Sequence, residues 1–185
     1  MRIVGGRLRG RVLKGPSNVA IRPTSDRLRE SLFNILEHAY GDPVRDARVI
    51  DVFAGTGALA LEGLSRGAQF ALLVDDDSHA QALIRSNIEI LQLAAQTRIL
   101  RRSALKIGAA PPGESFALAF LDPPYNRNLA NTALTALRDG AWLALGALVV
   151  VEEAVNARIE SPTGYKLIET RIFGDTQLAF LRFGD

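Results

Sequence analysis

No cysteine occurs among the 185 residues, which excludes disulfide scaffolds, thiolate metal sites and a cysteine nucleophile. Histidine is almost as scarce: His38 and His79 stand far apart, so no histidine-rich metal site is expected. No apolar run approaches the ~20 residues that span a bilayer, and Met1-Arg2-Ile3 opens the chain without the apolar stretch of a secretory leader. The hydrophobic fraction of 48% suffices for a core. These features lead us to expect a single cytoplasmic domain over 1–185, with no membrane or metal and a monomer as the default state.

Neither sign of charge dominates, since the net charge is only +2, but the charges are segregated. Residues 1–30 hold eight basic and two acidic side chains, and the remainder carries a net charge of −4. A basic segment on a mildly acidic body suits a polyanion, most simply nucleic acid. Arginine supplies 19 of the 22 basic residues, which genomic composition also explains, so the segregation does not decide alone.

Residues 2–14 read as two short strands around glycine turns, a basic hairpin arm (1–20) ahead of an α/β body (21–185). Arg22-Pro23-Thr24-Ser25 supplies a helix start, with Thr24 or Ser25 as N-cap. Leu28, Leu32, Ile35, Leu36 and Ala39 follow as an apolar stripe, and Arg27 and Glu30 are spaced to pair. Strands are then predicted at Val49–Phe53, Phe70–Val74, Arg98–Arg101, Phe116–Leu121 and Ala147–Glu152. They alternate with helices at Ala58–Leu64, Ser78–Leu93 and Asn128–Leu137. Lys166–Phe173 and Gln177–Phe183 read as an antiparallel pair joined at Gly174-Asp175.

Three constellations end predicted strands. Asp51-Val52-Phe53-Ala54-Gly55-Thr56-Gly57 runs from strand through glycine turn to helix, where backbone can approach a ligand. Asp75-Asp76-Asp77 follows the next strand, and a carboxylate there can accept hydrogen bonds from ribose hydroxyls. The same pair fits NAD, and Gly55-Thr56-Gly57-Ala58-Leu59-Ala60 satisfies a dinucleotide fingerprint. Asp122-Pro123-Pro124-Tyr125 decides between them. Two prolines remove two amide donors and leave an acceptor-rich edge beside a carboxylate and an aromatic ring. Such an edge suits an amino group on a flat ring, whereas hydride transfer has no use for it.

These motifs resemble the class I S-adenosylmethionine-dependent methyltransferases that act on exocyclic amino groups. More narrowly, Ile3-Val4-Gly5-Gly6, Arg9-Gly10-Arg11, the run Arg22–Asn34 and Asp51–Leu59 resemble the bacterial 16S rRNA guanine-N2 methyltransferases of the RsmD family. The resemblance covers nearly the whole chain. It implies a Rossmann-like, doubly wound, mostly parallel seven-stranded sheet with one antiparallel strand near the edge. It also implies S-adenosylmethionine as cofactor, held by Asp51, Phe53, Ala54, Gly55, Thr56, Gly57, Asp75, Asp76, Ser103, Ala104 and Asp122. Asp122, Pro123, Pro124 and Tyr125 would form the catalytic edge. Arg2, Arg7, Arg9, Arg11, Lys14, Arg22, Arg27 and Arg29 would meet 16S rRNA, free or in a small-subunit particle. Asp75 stands where the family usually has Glu, and Ser103 where related enzymes often carry Asp or Asn. An adenine-N6 DNA methyltransferase is the enzymatic alternative, and a noncatalytic RNA-binding module the other.

Overall fold

The computed structural model describes residues 1–16, 25–125 and 129–184. Strands β1 (Arg48–Val52), β2 (Phe70–Val74), β3 (Thr97–Leu100), β4 (Phe116–Leu121), β5 (Leu143–Ala154), β6 (Tyr165–Phe173) and β7 (Thr176–Phe183) form one sheet of order β3-β2-β1-β4-β5-β7-β6. The first five pair in parallel, and β7 runs antiparallel between β5 and β6. Helices α1 (Asp26–Ala39), α2 (Ala58–Ser65), α3 (Ser78–Leu91) and α4 (Leu129–Asp139) cover the two faces. Val49, Leu73, Phe120 and Val150 pack with Leu32, Leu61 and Ile84 of α1–α3. Their neighbours Ile50, Leu72, Leu121 and Val151 pack with Ala133, Leu134 and Leu137 of α4. Burial on both faces is why β2 and β4 read as unbroken apolar runs. The doubly wound sheet expected from the sequence is therefore present.

Local chemistry sets the boundaries. Ser25 caps α1 by accepting from the Leu28 amide at 3.1 Å, and Asp77 caps α3 by accepting from Ala80 at 2.8 Å. Helix α3 stops at Leu91, short of the expected Leu93, because Gln92 turns left-handed (φ 57°). Strand β5 begins at Leu143, earlier than expected, through a register shift against β4 near an exposed Leu145. Arg22, Thr24 and Asn128, and the expected boundary between 20 and 21, lie outside the described residues.

The N-terminal segment has the antiparallel pairing of the expected hairpin, but it lies against the body. It folds back on itself, with Ile3 N donating to Arg11 O and Gly10 N to Ile3 O, both at 2.9 Å. Yet only one antiparallel bridge forms, Arg2 with Val12, around a short 3₁₀ turn at Gly6–Leu8. The segment does not project as an arm. Ile3 and Leu13 lie in the core, and the polar backbone between them is claimed by the body. Val4 N donates to Glu62 at 2.9 Å, Leu8 N to Ser65 Oγ at 2.9 Å, and Asn87 grips both backbone groups of Lys14. Gly6 (φ 71°) lies so close to α2 that a Cβ would sit 2.0 Å from the Ser65 carbonyl oxygen.

Candidate active site

The parallel registers align Val52 with Val74 and Leu121, and Leu121 with Val151. The residues that follow, Phe53, Asp75, Asp122 and Glu152, therefore emerge in one row along the carboxyl edge of the sheet. That row straddles the point between β1 and β4 where strand order reverses, the usual ligand crevice of such sheets. Three motifs spread along the sequence thus meet in space.

Phe53 (φ 63°), Gly55 (φ 56°) and Gly57 (φ 78°) turn the chain sharply from β1 into α2. The left-handed backbone at Gly57 favours glycine, and a Cβ there would also crowd Leu73 Cδ2 at 2.8 Å. Gly55 instead faces open space, with nothing nearer to a Cβ than Phe53 O at 3.9 Å. Asp75 steadies this turn: one carboxylate oxygen accepts from Gly55 N at 2.8 Å and the other from Asp77 N at 3.0 Å. Burial, with Asp76 and Asp77 nearby, raises the Asp75 carboxyl above the usual range despite these two amides. Asp51 lies beneath the turn, 1% exposed, accepting from Ala60 N at 3.0 Å. Desolvation pushes its carboxyl up to about 8, with the Ala60 amide opposing and the Asp75 charge adding.

The remaining expected cofactor residues divide. Ala54 is buried in the turn, its N–H on Val74 O at 3.1 Å, and Asp76 is exposed beside Asp75. Ser103 and the buried Ala104 open a 3₁₀ turn beyond β3, on the same edge of the sheet. Thr56 faces the N-terminal segment instead, with its hydroxyl 3.7 Å from Met1 Sδ and its carbonyl held by Asn87.

On the other side of the reversal, Asp122 N reaches Val52 O at 3.4 Å, Pro123 is buried and Pro124 exposed. The Tyr125 hydroxyl donates to Glu152 Oε1 at 2.8 Å and lies 3.2 Å from Thr176 Oγ1. Burial, and then the Glu152 charge, raise the Tyr125 hydroxyl above its ordinary value, so it stays protonated. Glu152 and Thr176 were not anticipated as site residues. The signal was available: Glu152-Glu153 closes an apolar strand with two carboxylates on the ligand-bearing edge.

Arg2, Arg7, Arg9, Arg11, Lys14 and Arg27 are exposed, and Arg7 leans on Gln96 at 2.9 Å. Arg27 and Glu30 form no ion pair; the close pair on this turn of α1 is Asp26 with Arg29 at 2.9 Å. Arg29 is a correction. It is fully buried, pairs with Asp26 and with Glu62 at 3.5 Å, and donates to the Arg2 carbonyl. Its place was legible, because Leu32, Phe33 and Leu36 follow it at +3, +4 and +7 on the buried face. Among the described residues no cluster of three or more His, Asp or Glu could hold a metal, and no helix is long and apolar enough to cross a membrane.

A glycine turn after β1, a carboxylate after β2, a proline-flanked acceptor edge after β4 and an antiparallel β7 together define the class I methyltransferase architecture. A protein-family profile described as Conserved hypothetical protein 95 matches residues 1–182. The ribosomal RNA small subunit methyltransferase D of Escherichia coli K12 is 37% identical over 175 residues, covering 94% of this chain and 85% of that protein. Its Haemophilus influenzae namesake is 31% identical, covering 94% and 89%. The solved Escherichia coli protein yhhF superposes with a TM-score of 0.84 at 35% identity, covering 99% and 97%. The chain belongs to the family of ribosomal RNA small subunit methyltransferases D, the RsmD family, as the sequence resemblance implied.

Proposed function

We propose that this protein transfers the methyl group of S-adenosylmethionine to the exocyclic N2 amino group of a guanine in 16S rRNA. The observation that carries the reading is the row of Asp75, Phe53 and Asp122. It supports the reading because a carboxylate suited to ribose hydroxyls and one suited to an amine then flank the strand reversal.

The residues present fit the methyl donor. Each Asp75 oxygen accepts one backbone amide, and carboxylate oxygens have capacity for further donors such as ribose hydroxyls. The open backbone at Gly55 admits close approach of the methionine end. Asp51 holds the turn from beneath. When bound, S-adenosylmethionine supplies an electrophilic methyl group on a sulfonium.

The chain's own residues then prepare the amine. An in-line displacement needs alignment and an available nitrogen lone pair, which in guanine is delocalised into the ring. Asp122 and the Pro123 carbonyl accept the two amino hydrogens, favour a pyramidal nitrogen and offset its developing positive charge. Pro124 holds the edge rigid, and Tyr125 stacks on the unstacked base. The exposed Arg2, Arg7, Arg9, Arg11, Lys14 and Arg27 hold the phosphate backbone, which positions the RNA without reading its sequence. Incubation with labelled S-adenosylmethionine and 16S rRNA from cells lacking the enzyme, followed by nucleoside analysis, tests the reading. N2-methylguanosine is expected; N6-methyladenine, or no transfer to RNA, overturns it.

A further inference from the structure

We infer that Glu152 is a positioning residue for this transfer, fixing the ring of Tyr125 through its hydroxyl. The inference rests on the proposed function and adds a role at the same site.

The Asp122–Tyr125 segment leaves the sheet at Asp122, and its two prolines can donate no backbone hydrogen bond that would tie it down. Tyr125 is held from the far side. Glu152 and Thr176, 5% and 4% exposed, both lie within hydrogen-bond distance of its hydroxyl. The two belong to strands paired with each other, since Ala154 of β5 stands opposite Thr176 of β7. Gln177 stiffens that corner, its amide donating at 2.7 Å to the carbonyls of both Ala154 and Ala157. A stacking ring held at Cβ by the loop and at its hydroxyl by this wall has its long axis fixed. A base lying on it presents its amino group to Asp122 at a set height.

Stability alone gives a poor account of the arrangement. A buried carboxylate is desolvated at a cost that an apolar side chain of similar volume avoids. A charged acceptor makes sense where a phenol must be held firmly, because charge-assisted hydrogen bonds are shorter and stronger than neutral ones.

Steady-state methylation of 16S rRNA by wild type, Tyr125→Phe, Glu152→Ala, Glu152→Gln and the double variant Tyr125→Phe/Glu152→Ala tests this role. Calorimetry with S-adenosylhomocysteine, RNA binding and thermal melting run alongside. Tyr125→Phe and Glu152→Ala should each lower kcat by about three- to tenfold, with both binding affinities unchanged. The double variant should be no worse than either single one, as expected for two ends of one bond. Glu152→Gln should lose less than Glu152→Ala, because its amide oxygen still accepts from the phenol. Wild-type kcat in Tyr125→Phe, or losses that multiply in the double variant, overturn the inference alone. Absence of transfer by the wild type overturns the proposed function and this inference with it. If Glu152→Ala melts below the assay temperature, Tyr125→Phe decides, since it removes one oxygen and keeps the ring.

Discussion

The Asp75 carboxylate accepts the Gly55 amide at 2.8 Å, so the residue expected to bind ribose also braces the glycine turn, 20 positions earlier in the chain. Asp75→Ala therefore removes both functions. Affinity for S-adenosylhomocysteine should fall by about tenfold or more, and stability by about 1–2 kcal/mol. Calorimetry checks the first and denaturant unfolding the second. Tight binding of NAD with none of S-adenosylhomocysteine would reverse the choice of ligand.

On the proposed function, Asp122 serves the amine rather than the donor. Asp122→Ala should lower kcat by about a hundredfold or more, while S-adenosylhomocysteine affinity changes only a few-fold. Near-normal turnover would remove Asp122 from the mechanism.

The exposed arginines of the N-terminal segment are assigned to the RNA in the proposed function. Replacing Arg7, Arg9 and Arg11 with Ala should weaken RNA binding and flatten the plot of log affinity against log salt by about 2, at roughly 0.7–0.9 per phosphate contact. S-adenosylhomocysteine affinity should not move. An unchanged slope would make these side chains solvating groups only.

Arg29 behaves differently from its neighbours in the basic segment. Arg29→Ala leaves Glu62 with less compensation in the interior and should destabilise the fold by about 3 kcal/mol. Chemical denaturation measures this. A stable variant with impaired RNA binding would return Arg29 to the RNA surface.

Asp51 gives a pH signature. Its folded carboxyl is raised to about 8, so its contribution to stability is present at low pH, declines above about pH 4 and is gone beyond about pH 8. Asp51→Asn keeps an acceptor for the Ala60 amide and does not titrate. The melting temperature of the variant relative to wild type should therefore rise from pH 5 to pH 8. A difference that does not vary with pH would contradict the raised value.

Strands buried on both faces were the most legible elements. Phe70–Val74 and Phe116–Leu121 are found at their expected bounds because polar or loop residues stop an apolar run sharply at each end. The glycine turn, Asp75 and Asp122 were legible because strand-end position and residue type together narrow the chemistry. The docking of the N-terminal segment against the body was not legible, because alternating arginine and small residues read as an exposed edge strand. The groups that pin it, Glu62, Ser65 and Asn87, arrive from α2 and α3, 57 to 73 residues later. Glu152 escaped notice for a related reason: its partner Tyr125 lies 27 residues away and is met only once β5 stands beside β4.

The reversed direction of β7 has a consequence for how such a site can be varied. Because β7 runs against β5, the Gly174-Asp175 turn between Phe173 and Thr176 sits at the ligand-bearing edge, where Asp175 O accepts from Val155 N at 2.9 Å. A parallel β7 would put that turn at the opposite end of the sheet. Lengthening this hairpin would add new side chains beside Thr176 and the end of β5. The β6–β7 turn is accordingly the point on this edge where chain can be added farthest from the helices of the body.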